Sequence, residues 1–287
     1  MPQNPEPDSR DEIRTVRALG HDLRVSIRPG TDPVAPPLLM LMGIGGNIEM
    51  WEPLRSTLTE RVGMTTVAFD VPGTGESPPP LFPLPLPGLA LLTSRLLRIL
   101  ELDRVDVLGL SWGGLLAQQL ALTASRQVHR LVLASTSVGL GSIPGGWSAL
   151  RALATPARYQ SMGQLNDALD VFGGNADDYA SDAMRIHNQA RLARPPSICG
   201  YYGQIASLAG WTSLPWLPLI RQPALVLCGS ADQAVPAINS RVLATLLPHA
   251  ELEILRGGGH LVLFEQLAAS VDLLAKFLGT PPDESKL

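Results

Sequence analysis

The sequence predicts an α/β fold: a mostly parallel central sheet with a helical cap inserted late in the chain. Three observations carry this. Short apolar runs alternate with helix-length stretches, the order that parallel βαβ units produce. One such run, Arg104 to Leu108, passes straight into Gly109-Leu110-Ser111-Trp112-Gly113 and then into the helix-like stretch Leu115 to Ala121. The alternation lapses between about Leu140 and Ile220 and resumes at Ala224.

The elements follow in order. Residues 1–12 are polar and Pro-rich and read as a flexible tail. Ile13 to Arg28 reads as a β-hairpin turning near Gly20, and Leu38 to Met42 as the next strand. Met50 to Arg61 is expected to be helical and Thr65 to Asp70 to be a strand. Asp70 opens the loop Asp70-Val71-Pro72-Gly73-Thr74-Gly75-Glu76-Ser77, where its carboxylate can tie down backbone amides. A helix over Leu86 to Leu102 precedes the Ser111 strand, and Leu131 to Ala134 is the strand after it. Ala224 to Gly229 and Glu251 to Leu255 are the last strands, with a helix opened by Val235-Pro236 between them. The core is thus expected over 13–139 and 221–279, with the cap at 140–220 and a C-terminal tail at 280–287. The cap interval holds all four tyrosines and three of the five tryptophans, an aromatic concentration suited to lining an apolar pocket.

A serine in Gly-x-Ser-x-Gly between a strand and a helix sits at a sharp, strained turn that exposes its hydroxyl. Its neighbours must be small, and Gly109 and Gly113 supply that. Such a nucleophile needs a base, and the base an orienting acid. Of the five histidines, His21, His129, His187 and His249 fall in a hairpin, before a strand, in a polar helical stretch and in a turn. His260 follows Gly257-Gly258-Gly259 after the last strand, a loop able to present an imidazole. Asp232 is the only carboxylate in the loop after Ala224 to Gly229, and the chain order Ser, Asp, His fits. Asp70 and Asp106 read as structural. Acyl transfer also needs donors for the developing oxyanion. The Trp112 N–H follows the nucleophile directly. The Ile44 N–H, in the glycine-rich loop Gly43-Ile44-Gly45-Gly46-Asn47, is assigned as the second donor. That loop is not Gly-x-Gly-x-x-Gly, so a dinucleotide site is poorly supported.

Composition narrows the partners. At 287 residues the chain can bury a full core. A net charge of −4 gives a nucleic acid little to bind. Cys199 and Cys228 are too few for a disulfide framework, and no zinc-type His/Cys spacing occurs, so no metal and no cofactor are expected. No run of eighteen apolar residues suggests a membrane span, and the N-terminus has no apolar signal region. The terminal Ser285-Lys286-Leu287 has the form of a peroxisomal address. Arginine far outnumbers lysine, however, and alanine and leucine abound, a bias of GC-rich bacterial genomes. A bacterial cytoplasm is therefore the expected compartment.

These pieces together resemble the α/β-hydrolase superfamily: the Asp70 loop, the Ser111 turn, the Asp232 loop and Gly259-His260. Finer stretches resemble the intracellular depolymerases of medium-chain-length poly(3-hydroxyalkanoate). They are Gly43 to Glu49, Ser111 to Gly114, Leu131 to Gly139 and, in the cap, Gly200-Tyr201-Tyr202-Gly203-Gln204 running on through Gly210-Trp211-Thr212-Ser213, Trp216-Leu217 and Ile220-Arg221-Gln222-Pro223. The resemblance spans Ile13 to Leu278. It implies an α/β-hydrolase fold and Ser111, Asp232 and His260 as nucleophile, acid and base. It also implies a hydrophobic ester or polyester substrate, with a storage granule surface as partner. Tyr201, Tyr202, Trp211 and Trp216 become the candidate substrate-binding residues. One departure is Met42, where many hydrolases carry His and the depolymerases Asn. Met42 leaves the backbone donor intact and removes a polar side chain. The same machinery serves small-molecule carboxylesterases, thioesterases and lipases. A non-catalytic ligand-binding member of the fold is the alternative from another class.

Overall fold

The computed structural model of the chain describes residues 11–32, 35–175 and 179–279. The expected tails, with Ser285-Lys286-Leu287, fall outside these residues except for 11 and 12. Eight strands are described: β1 (Glu12–Ala18), β2 (His21–Arg28), β3 (Leu38–Leu41), β4 (Thr66–Phe69), β5 (Val105–Leu110), β6 (Val128–Ala134), β7 (Ala224–Gly229) and β8 (Ala250–Leu255). They form one sheet in the order β1-β2-β4-β3-β5-β6-β7-β8. The β1–β2 hairpin is antiparallel, and β2 joins β4 antiparallel. From β4 through β8 every pairing is parallel.

Helices cover both faces, so the central strands read as unbroken apolar runs rather than alternating ones. All six residues of β5 are buried. Period-2 alternation still sorts the side chains. Leu39, Val107, Leu131, Leu133 and Val226 face one core with α2 (Leu86–Ile99) and α3 (Trp112–Thr123). Leu38, Met40, Leu108, Val132 and Leu225 face the other, with α1 (Glu52–Val62). The chain runs from β3 outward to β4 and then returns to the far side of β3 as β5. This topological switch point opens a crevice at the strands' carboxyl ends, where open α/β sheets bind ligands.

Between β6 and β7 the chain leaves the sheet and forms α4 (Trp147–Leu153), α5 (Met162–Phe172), α6 (Asp182–Ala193) and α7 (Ile198–Ala206). Ser161, Ser181 and Ser197 cap the last three, each accepting a bond from the amide three residues on. After β7 come α8 (Ala237–Leu246), α9 (Val262–Glu265) and α10 (Leu267–Gly279). Among the described residues, no helix is long and apolar enough to cross a membrane.

Several element boundaries differ from the sequence reading by a few residues, and two of the differences have a clear physical cause. The helix expected from Met50 begins as a 3-10 turn at Ile48, because the Asn47 side chain accepts from the Met50 amide and sets an earlier start. β6 begins at Val128 rather than Leu131. His129 Nδ1 meets the buried Asp106 carboxylate at 3.0 Å, and Arg130 donates to the carbonyls of Phe277 and Leu278 at the end of α10. Polar residues enter this strand because tertiary partners receive them.

α3 closes tightly on the end of β3. A Cβ on Gly113 would lie 2.0 Å from the Leu41 carbonyl oxygen, and one on Gly109 2.4 Å from the Gly113 carbonyl oxygen. Neither obstacle is a flexible side chain. Gly113→Ala is therefore expected to destabilise by about 3 kcal/mol or more. Gly203→Ala in α7 meets nothing within 4 Å and should leave the melting temperature unchanged or slightly raised. Thermal melts of the two variants check this. Equal stability of both would show that the close approach is not required.

Candidate active site

Ser111 lies between β5 and α3 with φ 53° and ψ −117°. Few non-glycine residues tolerate that conformation, and neighbouring backbone enforces it here. The Ser111 amide donates to the Ala134 carbonyl at 2.9 Å. Its own carbonyl accepts from the Gly114 amide at 2.9 Å and from the Thr136 hydroxyl at 2.7 Å. The side chain is left at the carboxyl end of the sheet, where its hydroxyl reaches His260 Nε2 at 3.0 Å.

His260 Nδ1 stands 2.9 Å from Asp232 Oδ2 and 3.1 Å from Oδ1. A carboxylate only accepts, so Nδ1 carries the proton and Nε2 is left to accept from the serine. The Asp232 side chain is fully buried, and its Oδ1 also accepts from the amides of Ala234 and Val235 at 2.9 and 2.8 Å. These bonds fix the Asp232 carboxylate behind β7. Asp70, by contrast, accepts from the Ile48 and Glu76 amides and from Arg24, and ties loops together away from Ser111.

The insert between β6 and β7 helps to build the site. The Phe172 carbonyl accepts from the amides of both Gln233 and His260, linking the Asp232 and His260 loops. The Phe172 ring lies 5.6 Å from the imidazole. The Ile44–Gly45 peptide is held at both ends. Its carbonyl accepts from the Tyr159 hydroxyl at 2.7 Å and from Arg158 at 3.2 Å, and its N–H donates to Gln204 Oε1 at 2.7 Å. Gly45 has φ +77°, the left-handed conformation that favours glycine. Trp112, whose amide opens α3 without a partner in the helix, is fixed through its indole N–H to the Gln204 carbonyl and the Ser207 hydroxyl.

Ser111 stands between two chambers. The larger is about 350 Å³ and mostly apolar, with Leu115, Ile143, Leu150, Ile205 and Leu208 in its wall. The smaller is about 30 Å³ and holds Arg158, Tyr159, His187 and Arg191 beside Met42, Ser111 and His260. Ile44, Ser111 and Leu153 border both.

The four aromatics singled out in the sequence line neither chamber. Tyr201 is fully buried behind the wall, donating to the Leu153 carbonyl and accepting from Arg158. Tyr202 is exposed and stacks edge-on against Tyr201, since adjacent helical residues point about 100° apart. Trp211 is half-buried against the core and donates to Gln119 Oε1, and Trp216 is exposed. The chamber walls hold aliphatic residues instead, together with Tyr159, Phe172, Arg158 and Arg191; the sequence reading singled out none of these last four. Arginine and histidine on a polar-looking helix normally mark a solvated face. The four-residue spacing of His187 and Arg191 was the one available signal. Among the described residues, no cluster of three His, Cys, Asp or Glu could hold a metal ion.

Glu265 locks the loop that carries His260, accepting from the amides of Gly259 and Leu261. Burial pushes its carboxyl from an ordinary value of 4.5 up to about 7. Between those values the folded protein holds a proton that the unfolded chain has released. The contribution of this group to stability is fully present below pH 4.5 and is lost as pH rises to about 7. Glu265→Gln should therefore flatten the fall in stability across that window. Urea midpoints at several pH values test this. An unchanged slope would count against the assignment.

Known proteins share this sequence family and fold. The family model for the alpha/beta hydrolase fold matches residues 36–267. A poly(3-hydroxyalkanoate) depolymerase of Ectopseudomonas oleovorans is 40% identical over 267 residues, covering 93% of this chain and 92% of that protein. A putative carbamate hydrolase, RutD, of Stutzerimonas stutzeri is 28% identical, covering 80% and 86% of the two chains. The solved enol-lactonase of Burkholderia xenovorans LB400 superposes with a TM-score of 0.78 at 24% identity, over 93% of this chain and all of that one, a likeness of fold. By its sheet order, its strand–serine–helix turn and its match to the family model over most of its length, the chain belongs to the α/β-hydrolase family.

Proposed function

We propose that this protein is a serine hydrolase of carboxylic esters, with poly(3-hydroxyalkanoate) or its oligomers as substrate. The observation that carries the reading is the unbroken chain Asp232–His260–Ser111 at the mouth of a deep apolar chamber. The 40% identical depolymerase supports the choice of substrate.

In this reading His260 takes the Ser111 proton as Oγ attacks the ester carbonyl. Asp232 holds the imidazole tautomer and stabilises the imidazolium. The Ile44 and Trp112 amides receive the oxyanion. The imidazolium then protonates the departing hydroxyl, leaving an acyl-enzyme, and water releases the acid by the same route. The reaction so written needs no metal or cofactor. The large chamber takes the alkyl side chain of the 3-hydroxyacyl unit. Exposed Leu140 and Trp147 flank the Ser142 to Gly145 stretch of its wall and suit contact with a hydrophobic granule. Such a substrate places the enzyme in a bacterial cytoplasm.

Ser111→Ala should abolish turnover, by on the order of 10⁶-fold, in a folded protein. Asp232→Asn should cost about 10⁴-fold through the wrong tautomer. Steady-state rates on p-nitrophenyl octanoate, with circular dichroism for folding, decide both. A folded Ser111→Ala variant with a tenth of the activity would remove the nucleophile assignment.

The chamber should also set chain length. Each buried methylene contributes about 0.8 kcal/mol, so lengthening the acyl group from four to eight carbons should raise kcat/KM by on the order of a hundredfold. Leu150→Trp narrows the chamber and should flatten that slope. Rates on a p-nitrophenyl ester series and on a polyhydroxyalkanoate latex test the reading. Preference for acetyl esters with no action on the latex would make this a small-ester hydrolase.

A further inference from the structure

The small chamber has a composition that ester hydrolysis alone does not require. Arg158 and Arg191 are each only 3% exposed, and neither forms an ion pair with a carboxylate among the described residues. The charged and titratable groups acting on Arg191 are Tyr159, Tyr201 and the like-charged Arg158. Burial lowers the Arg191 guanidinium to about 10, which leaves it cationic at neutral pH. One of its nitrogens contacts His187 Nε2 at 3.0 Å, while Nε and the remaining terminal nitrogen are buried with no hydrogen-bond partner. His187 adds no negative charge. Burial and Arg191 hold its pKa well below the ordinary value, and its Nδ1 donates to the Met50 carbonyl at 2.8 Å. Arg158 does have partners, all of them neutral: the Tyr201 hydroxyl and the carbonyls of Ile44, Ala152 and Thr155.

Two buried guanidiniums thus stand together with no anion. The faces of Tyr159 and Tyr201 offset part of that charge, with Arg158 4.9 Å from the Tyr159 centroid and Arg191 5.6 Å from it. Rings, however, leave the open donors of Arg191 unfilled. A planar anion with two acceptor oxygens would fill them, since guanidinium matches a carboxylate in shape and charge. Both arginines border the same cavity as Ser111 and His260.

We propose that the Arg158–Arg191 chamber is a carboxylate-binding subsite, which holds the free carboxylate of the hydroxyacyl unit next to the scissile ester. The inference rests on the ester-hydrolase reading above and gives the two chambers different tasks. In a linear ester of two 3-hydroxy acids, only two carbons separate the ester oxygen from the free carboxylate. That carboxylate belongs to the leaving hydroxy acid. The Ser111 Oγ–carbonyl bond forms, the ester C–O bond breaks, and His260 returns the proton to the departing hydroxyl. The hydroxy acid leaves from the arginine side while the acyl chain stays in the apolar chamber. Water then cleaves the acyl-enzyme.

The test compares three substrates on the full-length protein: the linear dimer of 3-hydroxyoctanoate with a free carboxyl, the same dimer as its methyl ester, and p-nitrophenyl octanoate. Wild type should favour the free acid over the methyl ester by roughly ten- to a hundredfold in kcat/KM, the scale of charge-assisted hydrogen bonds. Arg191→Met should bring that ratio toward one, and Arg191→Lys should restore part of it. Titration calorimetry with 3-hydroxyoctanoate and methyl 3-hydroxyoctanoate needs neither turnover nor a variant, and the acid should bind wild type at least tenfold more tightly. The subsite is overturned if wild type treats acid and methyl ester alike in both measurements, or if a folded Arg191→Met keeps the wild-type ratio. Failure of the ester-hydrolase reading looks different: p-nitrophenyl octanoate is then not hydrolysed at all, while the calorimetric preference still tests the arginines.

Discussion

Ser111 holds its left-handed backbone because α3 is pressed against the end of β3, and the rest of the site depends on that contact. With glycine at 109 and 113 the two backbones approach until no Cβ fits between them. The turn is then too tight for Ser111 to relax, and bonds from Gly114 and Thr136 to its carbonyl hold the strained peptide. The serine side chain consequently projects above the sheet, at the place where β3 and β5 diverge to opposite sides of the switch point. The glycine loop after β3 and the serine turn after β5 become neighbours because their strands pair in parallel from Leu38↔Asp106 to Leu41↔Gly109. One packing requirement therefore delivers both the hydroxyl and the amides beside it.

The insert between β6 and β7 is more than a cover. It fixes the Ile44–Gly45 peptide through Tyr159, Arg158 and Gln204, and it joins the Asp232 and His260 loops through one carbonyl of Phe172. It also reaches the other side of the crevice, where the Asn47 amide donates to the carbonyls of Ala190 and Arg194. Displacing these helices would loosen the Ile44–Gly45 loop and the His260 loop together.

Electrostatics divides the crevice. Aliphatic side chains wall the large chamber, and uncompensated guanidiniums border the small one, with Ser111 at their junction. A buried cation without a counter-ion is costly, and here two of them adjoin Ser111. Two other buried arginines are ion-paired: Arg24 with Glu49, Asp70 and Glu76, and Arg28 with Asp11 and Glu52. Those arginines face carboxylates, whereas the open donors of Arg191 face none among the described residues.

Much of this was legible in the sequence wherever the signal is local. A parallel strand buried on both faces must be a short apolar run. A strained serine between strand and helix must have glycine around it, and loops that carry an acid or a base follow strands in order. Those rules place Ser111, Asp232 and His260 at three carboxyl ends of one sheet, and the structure brings them within hydrogen-bond distance. The walls of the cavity were not legible, because which side of a cap helix faces inward is settled by packing rather than by composition. Tyr201 and Tyr202 are neighbours in sequence, yet one is buried behind the wall and the other faces solvent. His187 and Arg191 sit in a polar stretch that by itself suits water, and only the docking of α6 over Met50 buries them. The sequence alone determined the sheet and the three residues along its edge, since backbone sterics and local burial dictate them. The tertiary structure alone decided the chemistry of the chambers, since that depends on which charges from distant segments are buried together without a counter-ion.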